Sequence, residues 1–240
     1  MLCGLPLRRP PNSQLVHARH RGKFFLHVTA HPDFGLPFGQ DRLIPIWVAT
    51  LALQQKNRTI QFAAAAQLLD FFHLPKDGPH YRRLVGGFQR IFAATIFFGT
   101  DERPNGARVV DFSRFHFFDH MRLWFDPNST APDVSPVIQE NVITLSETFH
   151  QEIEQRRIPV EREEISCFAH APGTLDFYLW LVWRSRALNG TRAQIPLFGP
   201  DGLARIKLLW PQCPAEPSQD GKFLIVSSSS QASAICRVPA

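Results

Sequence analysis

The sequence predicts a mixed α+β fold in which short strands alternate with amphipathic helices. Two observations lead to this prediction. Apolar residues recur at the 3.6-residue spacing of a helix in several segments, and short runs of β-branched and aromatic residues between them end at Gly, Pro or Asn. Hydrophobic residues make up 44% of the 240-residue chain, which is ordinary for a globular protein and suits one large domain or two small ones.

The first half of the chain holds the clearest series of elements. The predicted elements are strands over 23–29 and 59–62, helices over 41–56, 63–72 and 79–92, and extended segments over 94–100 and 107–112. Asp41 is a candidate cap for the first helix, and Pro79 is acceptable in the first turn of the third. The turn residues at 101–106 indicate a hairpin between the last two segments. Residues 112–125 continue extended and are expected to pair back on that hairpin.

The order helix, strand, helix, turn, helix, strand, loop, strand is that of a winged-helix domain. We therefore predict a flexible basic arm over 1–22, a winged-helix domain over 23–125, a Pro-rich linker over 126–136 and a second domain over 137–240. The second domain is expected to contain a strand over 141–145 and a polar helix to about Gln155. A later helix over 175–183 is apolar almost all round, so we expect it to be buried.

The third predicted helix has an apolar face and a basic face. Its apolar residues Leu84, Val85, Phe88, Ile91 and Phe92 are expected to pack against Trp47 and Leu69. The opposite face carries the candidate DNA contacts His80, Arg82, Arg83, Gly86, Gln89 and Arg90. Arginine reads guanine edges, glutamine reads adenine, and small residues let the backbone approach the major groove. The alternative is a solvated basic face on an ordinary helix.

Four further arginines are candidate DNA contacts. Arg103 and Arg108 flank the Pro-Asn-Gly tip of the predicted hairpin, where a wing can reach phosphates or the minor groove. Arg42 and Arg58 lie near the two ends of the first helix and are candidates for backbone phosphate contacts. Each of the four is also compatible with an ordinary solvated surface charge.

Composition favours an anionic partner inside the cell. The net charge of +5 comes mostly from arginine, which binds phosphate and guanine in a bidentate manner. The four cysteines are scattered without a Cys-x-x-Cys pair, so neither a zinc ribbon nor a disulfide framework is expected. The chain start lacks the apolar core of a secretory signal, and no apolar run of about 18 residues occurs. We expect a cytoplasmic protein without a membrane partner.

Several stretches resemble the plasmid-encoded RepA replication initiators. The most specific is GLPFGQDRLIPIWVAT at residues 35–50, and others are LLDFF at 68–72, RIFAATIFFG at 90–99, LDFYLWL at 175–181 and IPLFG at 195–199. The resemblance implies two winged-helix domains in tandem, binding to repeated sequences at a plasmid origin, and opening of the duplex for host replication proteins. It also implies a bacterial cytoplasm and exchange between monomer and homodimer. The chain departs from the family pattern after Leu203, where a stretch is missing, so the second domain is predicted to be shortened.

Enzymatic activity is not expected, and no cofactor or metal is predicted. A rolling-circle nicking enzyme needs a His-apolar-His metal pair, whereas His116 and His120 have a different spacing. Neither a phosphate-binding Gly-rich loop ending in Gly-Lys-Ser/Thr nor a Gly-x-Ser-x-Gly elbow occurs. The main alternative to an initiator is a transcriptional repressor that uses the same winged helix.

Overall fold

The computed structural model describes residues 4–102, 108–125, 140–156, 158, 160–186, 192–196 and 223–227. Its helices are α1 Leu43–Gln55, α2 Gln67–Phe71, α3 Gly78–Ala93, α4 Glu147–Gln155, α5 Arg162–Cys167 and α6 Pro172–Arg186. Its strands are β1 Val16–Arg21, β2 Phe24–Thr29, β3 Thr59–Phe62, β4 Thr95–Glu102, β5 Val109–Phe115, β6 Phe118–Arg122, β7 Asn141–Leu145, β8 Arg192–Pro196 and β9 Phe223–Ser227. The predicted α+β class is confirmed, and the strand pairs are antiparallel.

The chain divides into two compact units, one of residues 1–157 and 161–172 and the other of residues 158–160 and 173–240. The predicted linker at 126–136 therefore falls inside the first unit and does not coincide with this division. The linker residues themselves lie outside the described part of the chain. The reason for the difference is strand pairing across the predicted boundary, since β3 and β6 precede it and β7 follows it.

A four-stranded sheet in the order β1-β2-β4-β5 contains the antiparallel pairs β1–β2 and β4–β5. The predicted β4–β5 hairpin is confirmed, with Ile96 opposite Phe115 and Glu102 opposite Val109. The prediction of a flexible arm over 1–22 is wrong for its described residues, because β1 pairs with β2 along its full length and Leu5 is completely buried. Backbone hydrogen bonds and apolar burial thus hold this segment in spite of its basic composition.

A second sheet, in the order β3-β7-β6, joins segments that are far apart in the sequence. β3 has the predicted bounds, and its register pairs Ile60 with Ile143. The expectation that residues 112–125 pair back on the hairpin is correct only as far as Phe115. From Phe118 the chain pairs with β7 in this other sheet, because the side chains at Phe117, Phe118 and Leu145 are buried there.

The three helices α1, α2 and α3 enclose an aromatic core. The ring of Trp47 from α1 meets Phe62 of β3 edge to face at 4.9 Å and Phe88 of α3 at 6.3 Å. α2 is shorter than predicted, since residues 63–66 are not helical and residues 65–66 form a turn before it. The amide of the buried Asn141 donates to the carbonyls of Phe62 and Ala63, and these bonds hold the chain out of a helix at that point.

The described part of the second unit contains most of α6 and the pair β8–β9. β9 pairs antiparallel with β8, with Ala193 opposite Val226. α6 is longer than predicted and is not buried all round, because only Leu175 among its residues is buried and Trp183 is half exposed. The second domain's predicted shortening falls at residues outside the described part of the chain.

Candidate nucleic-acid interface

Helix α3 is the element on which most of the predicted contacts lie, and its start is fixed by a side-chain cap. Asp77 has an extended backbone, and its carboxylate accepts a 2.8 Å hydrogen bond from the N–H of His80. The His80 ring nitrogen Nδ1 lies 2.6 Å from the same oxygen. The backbone bond from His80, followed by the side-chain bond, lowers the pKa of Asp77 below its ordinary value. The anionic cap satisfies backbone donors at the positive end of the helix.

The last turn of α3 is attached to the segment before α1 by a buried ion pair. Asp41 is 4% exposed and accepts hydrogen bonds from Nε and Nη2 of Arg90, at 2.7 and 2.8 Å. Its Oδ2 also accepts from the backbone N–H of Phe38 at 2.9 Å, and the Arg90 guanidinium lies 4.8 Å from the Phe38 ring centre. A bidentate pair of this kind fixes direction as well as distance. The pair therefore sets how far α3 stands from α1 and how it is rotated.

Close approach at this pair depends on Gly87, which is buried on the inner side of α3. A Cβ atom at this position would lie 2.7 Å from Oδ1 of Asp41 and 2.9 Å from Cδ1 of Ile44. Gly86 is different, because a Cβ there would meet only the end of the Arg90 side chain, at 3.1 Å. The adjacent glycines thus have separate roles, with Gly87 allowing the helix to pack and Gly86 lying on the outer side.

The outer face of α3 keeps two exposed arginines, Arg82 and Arg83. Nη1 of Arg83 donates to Oε1 of Gln40 at 3.0 Å, which steadies the guanidinium group. Within the described part of the chain, Arg82 makes no hydrogen bond or ion pair. Gly86 and Gln89 are half-buried and follow the arginines on the same side of the helix. These residues form a short basic ridge on the outer side of α3. The opposite side of the helix is packed on the protein and fixed by the Asp41–Arg90 ion pair.

Arg42, Arg90 and His80 differ from the sequence-based expectation. The assignment of Arg42 as a phosphate contact is corrected, because its side chain is fully buried and donates to the carbonyls of Gly39 and Leu5. Arg90 uses Nε and Nη2 for Asp41, so its main contact is internal. His80 is bound to its own helix cap. The packing of Phe92 in the core is also corrected, since it is 37% exposed.

The remaining predicted contacts lie away from α3. Arg58 bridges Asp119 and Glu147 with Nη1 at 3.2 and 3.5 Å. Arg108 forms a bidentate pair with Asp101, which raises the pKa of the guanidinium above its ordinary value. Arg103 lies outside the described residues. The structure therefore groups Arg82, Arg83, Gly86 and Gln89, and gives Arg58 and Arg108 carboxylate partners.

Asp41, Phe38 and Gly87 were not predicted as residues that position the site. The signal for Gly87 was present in the sequence, because it lies three residues after Leu84 and so on the apolar face. The role of Asp41 was hidden, since its partner is 49 residues further along the chain. Among the described residues, no group of three or more His, Cys, Asp or Glu side chains is arranged to hold a metal ion. In the same part of the chain, no helix is long and apolar enough to cross a membrane.

Comparisons with known proteins find a similarity of fold but none of sequence. No protein-family profile matches the chain, and no curated protein matches it in sequence. A crystal structure of domains 2 and 3 of RctB matches with a TM-score of 0.60 and 12% identity, over 87% of this chain and 74% of that one. A selenomethionine derivative of the same two domains matches equally well, over 88% and 77%. At this identity the likeness shows that the chain shares its fold with those two domains.

Proposed function

We propose that this protein is a plasmid replication initiator that binds repeated duplex sequences at an origin and promotes opening of the duplex. The observation that supports this most is α3, a capped helix with an exposed arginine ridge and a buried ion pair behind it. A helix that enters the major groove needs this combination, because base readout requires side chains presented at a fixed distance and angle. The net charge of +5 supports an anionic partner.

The connectivity around α3 supports a winged-helix interpretation. α1, β3, α2 and α3 follow one another in the chain, and β3 joins the sheet β3-β7-β6. In this interpretation the strands that flank the wing are β6 and β7, instead of β4 and β5 as the sequence predicted. The paired state of Arg108 agrees with that reassignment, since a carboxylate already occupies its guanidinium. A tandem arrangement, with a shortened second winged helix, is part of the same proposal.

Fold likeness and sequence resemblance support initiation of replication over other uses of a basic helix. RctB, whose domains 2 and 3 share this fold, is a replication initiator. The stretches at 35–50 and 90–99, which resemble RepA proteins, contain Asp41 and Arg90, the two residues of the buried pair. We propose that the partners are double-stranded origin repeats, host replication proteins and a second copy of this chain. We further propose that the protein acts in the bacterial cytoplasm and without catalysis.

The test begins with selection of bound duplexes from a random library, followed by affinity measurements on the selected sequence. Arg82→Ala is expected to weaken binding by roughly 5- to 150-fold if the side chain reads a base. Arg156→Ala is the matched control, because Arg156, directly after α4, is 75% exposed and is paired with the surface residue Glu152. Equal affinities of the two variants and the native protein would argue against the proposal.

Absence of catalysis is tested separately, with supercoiled plasmid that carries the selected repeats. Incubation with Mg²⁺ or Mn²⁺ is expected to leave the plasmid closed. A nicked product with covalently attached protein would instead identify a rolling-circle enzyme, and binding without any effect on origin opening would favour a repressor.

A further inference from the structure

We propose that one face of the sheet β1-β2-β4-β5 binds single-stranded nucleic acid by stacking bases on exposed aromatic rings. The proposal goes beyond the duplex contact assigned to α3 and uses different residues. It concerns the face that bears Phe25 and Phe112, called here the aromatic face. The opposite face of the same sheet bears Val28, Ile96 and Phe115, which are buried in the core.

The sheet register brings two phenylalanines together on the aromatic face. Gly99 is paired with Phe25 on one side and with Phe112 on the other, and directly paired residues point to the same face. Because Gly99 has no side chain, the rings of Phe25 and Phe112 meet edge to face at 5.0 Å between centres. Phe25 is 7% exposed and Phe112 is 66% exposed. Phe112 therefore stands on a buried ring and presents its own ring to solvent.

Two histidines extend this ring surface to the edge strand β1. His20 pairs with Phe25 in the register, and its Nε2 lies 3.2 Å from Nε2 of His27. The His27 ring is 5.2 Å from the Phe25 ring, so the rings are continuous across three strands. His20 is exposed. Planar side chains that lie side by side on a sheet are a common platform for unpaired bases.

The charges on the aromatic face fit a phosphate backbone. Arg114 lies two residues after Phe112 and so on the same face, and it is exposed. Within the described residues it makes no hydrogen bond or ion pair. The register places one described acidic side chain on this face, Asp101, and Arg108 neutralises it at 2.7 Å. An unpaired arginine beside exposed rings provides the backbone contact that stacking proteins combine with base contact.

The occupant must be single-stranded, because bases in a duplex are stacked on each other and cannot be reached by rings on a flat sheet. DNA and RNA share the chemistry that this face would recognise, so the experiment includes both. The native 240-residue chain is titrated into fluorescein-labelled oligothymidylate and oligouridylate of about 20 nucleotides, and binding is followed by anisotropy. Saturable binding to either probe is expected, and the preferred probe identifies the sugar.

Phe112→Ala is expected to weaken this binding by roughly 5- to 100-fold, since one base loses its stacking partner. Phe24→Ala is the matched control, because Phe24 is 56% exposed and lies on the opposite face, next to Phe25 in the strand. Its affinity should stay within about twofold of the native value. Phe112→Tyr keeps the ring and should bind the single-stranded probes like the native protein. Arg114→Gln should lower the affinity for these probes and reduce the salt dependence of binding. Thermal unfolding of each variant checks that the fold is unchanged.

Three outcomes would overturn the proposal. The first is absence of saturable binding by the native protein, and the second is equal loss from Phe112→Ala and Phe24→Ala. The third is a change of oligomeric state in Phe112→Ala with unchanged affinity for both probes, which would mean that a second copy covers the face. The affinities of the native protein and of Arg82→Ala for duplex DNA are measured in parallel. A failure of single-strand binding can then be distinguished from a failure of the proposed function.

Discussion

The packing of α3 gives the most quantitative prediction, which concerns Gly87→Ala. The added Cβ atom would lie 2.7 Å from Oδ1 of Asp41, and this carboxylate cannot move easily because three hydrogen bonds hold it. Overpacking of a tight core costs about 1–3 kcal/mol. Alanine gains back up to about 1 kcal/mol in helix propensity. Since the contact is with a fixed group, we expect the upper part of the range, a net loss of about 2 kcal/mol.

Gly86→Ala is the control, because the same helix propensity is gained without a contact to a buried group. The Cβ would lie 3.1 Å from Nη1 of Arg90, the guanidinium nitrogen that Asp41 does not bind. Its effect is expected to lie within about 1 kcal/mol of zero. Urea unfolding, followed by tryptophan fluorescence, to which the buried Trp47 contributes, measures both variants. If Gly87→Ala is as stable as the native protein, the close packing of α3 on Asp41 is refuted.

Three further predictions concern stability. Asn141→Leu should cost about 1–3 kcal/mol for each backbone carbonyl left without a donor, measured by urea unfolding. An unchanged midpoint would contradict the role of Asn141 in holding residues 62 and 63 out of a helix. Asp77→Ala should lower the free energy of unfolding above about pH 4, where the native carboxyl is ionised. The difference in this free energy between the variant and the native protein should shrink as the pH falls through the lowered pKa of Asp77, because the protonated carboxyl is a weaker cap. Burial, and secondarily the charge of Arg19, lowers the pKa of His17. The neutral ring is therefore favoured in the folded state, and the stability it contributes above about pH 6.5 is lost as the pH falls. When the pH is lowered from 7 to 5, the melting temperature of His17→Gln should fall less than that of the native protein.

Local signals predicted the elements that depend on neighbouring residues. β3 and β7 have the predicted bounds, and α3 begins one residue before Pro79 because Asp77 supplies the cap. α4 also appears where predicted, and the side chain of Ser146 caps it. In each case the deciding interaction is made within a few residues of the element, so the sequence pattern contains it.

Local sequence patterns could not reveal interactions between distant segments of the chain. The alanines before α2 favour a helix by propensity, but Asn141, nearly 80 residues away, holds the chain extended at Phe62. The segment before Gly22 is basic and looks like a solvated arm, yet its backbone pairs with β2. The predicted boundary failed for the same reason, because proline and serine content cannot reveal that β7 returns to pair with β3.

The candidate site was predictable in part. Helical spacing placed Arg82, Arg83 and Gln89 on the outer side of α3, and the structure agrees. The sequence could not distinguish an arginine with an exposed guanidinium from one paired inside the protein. Arg42 and Arg90 were therefore predicted as DNA contacts together with Arg82 and Arg83. Burial and a carboxylate partner, which depend on tertiary packing, distinguish these two residues. Whether Arg82 and Arg83 bind DNA stays a prediction.

The salt dependence of duplex binding tests the central claim most directly. Affinity of the native protein, Arg82→Ala and Arg156→Ala for the selected duplex is measured from about 50 to 200 mM salt, with the slope of log K against log salt as the result. If α3 lies against DNA, Arg82→Ala should lower the affinity and reduce the slope by about one, while Arg156→Ala should match the native protein. Identical slopes and affinities for all three proteins would contradict the account.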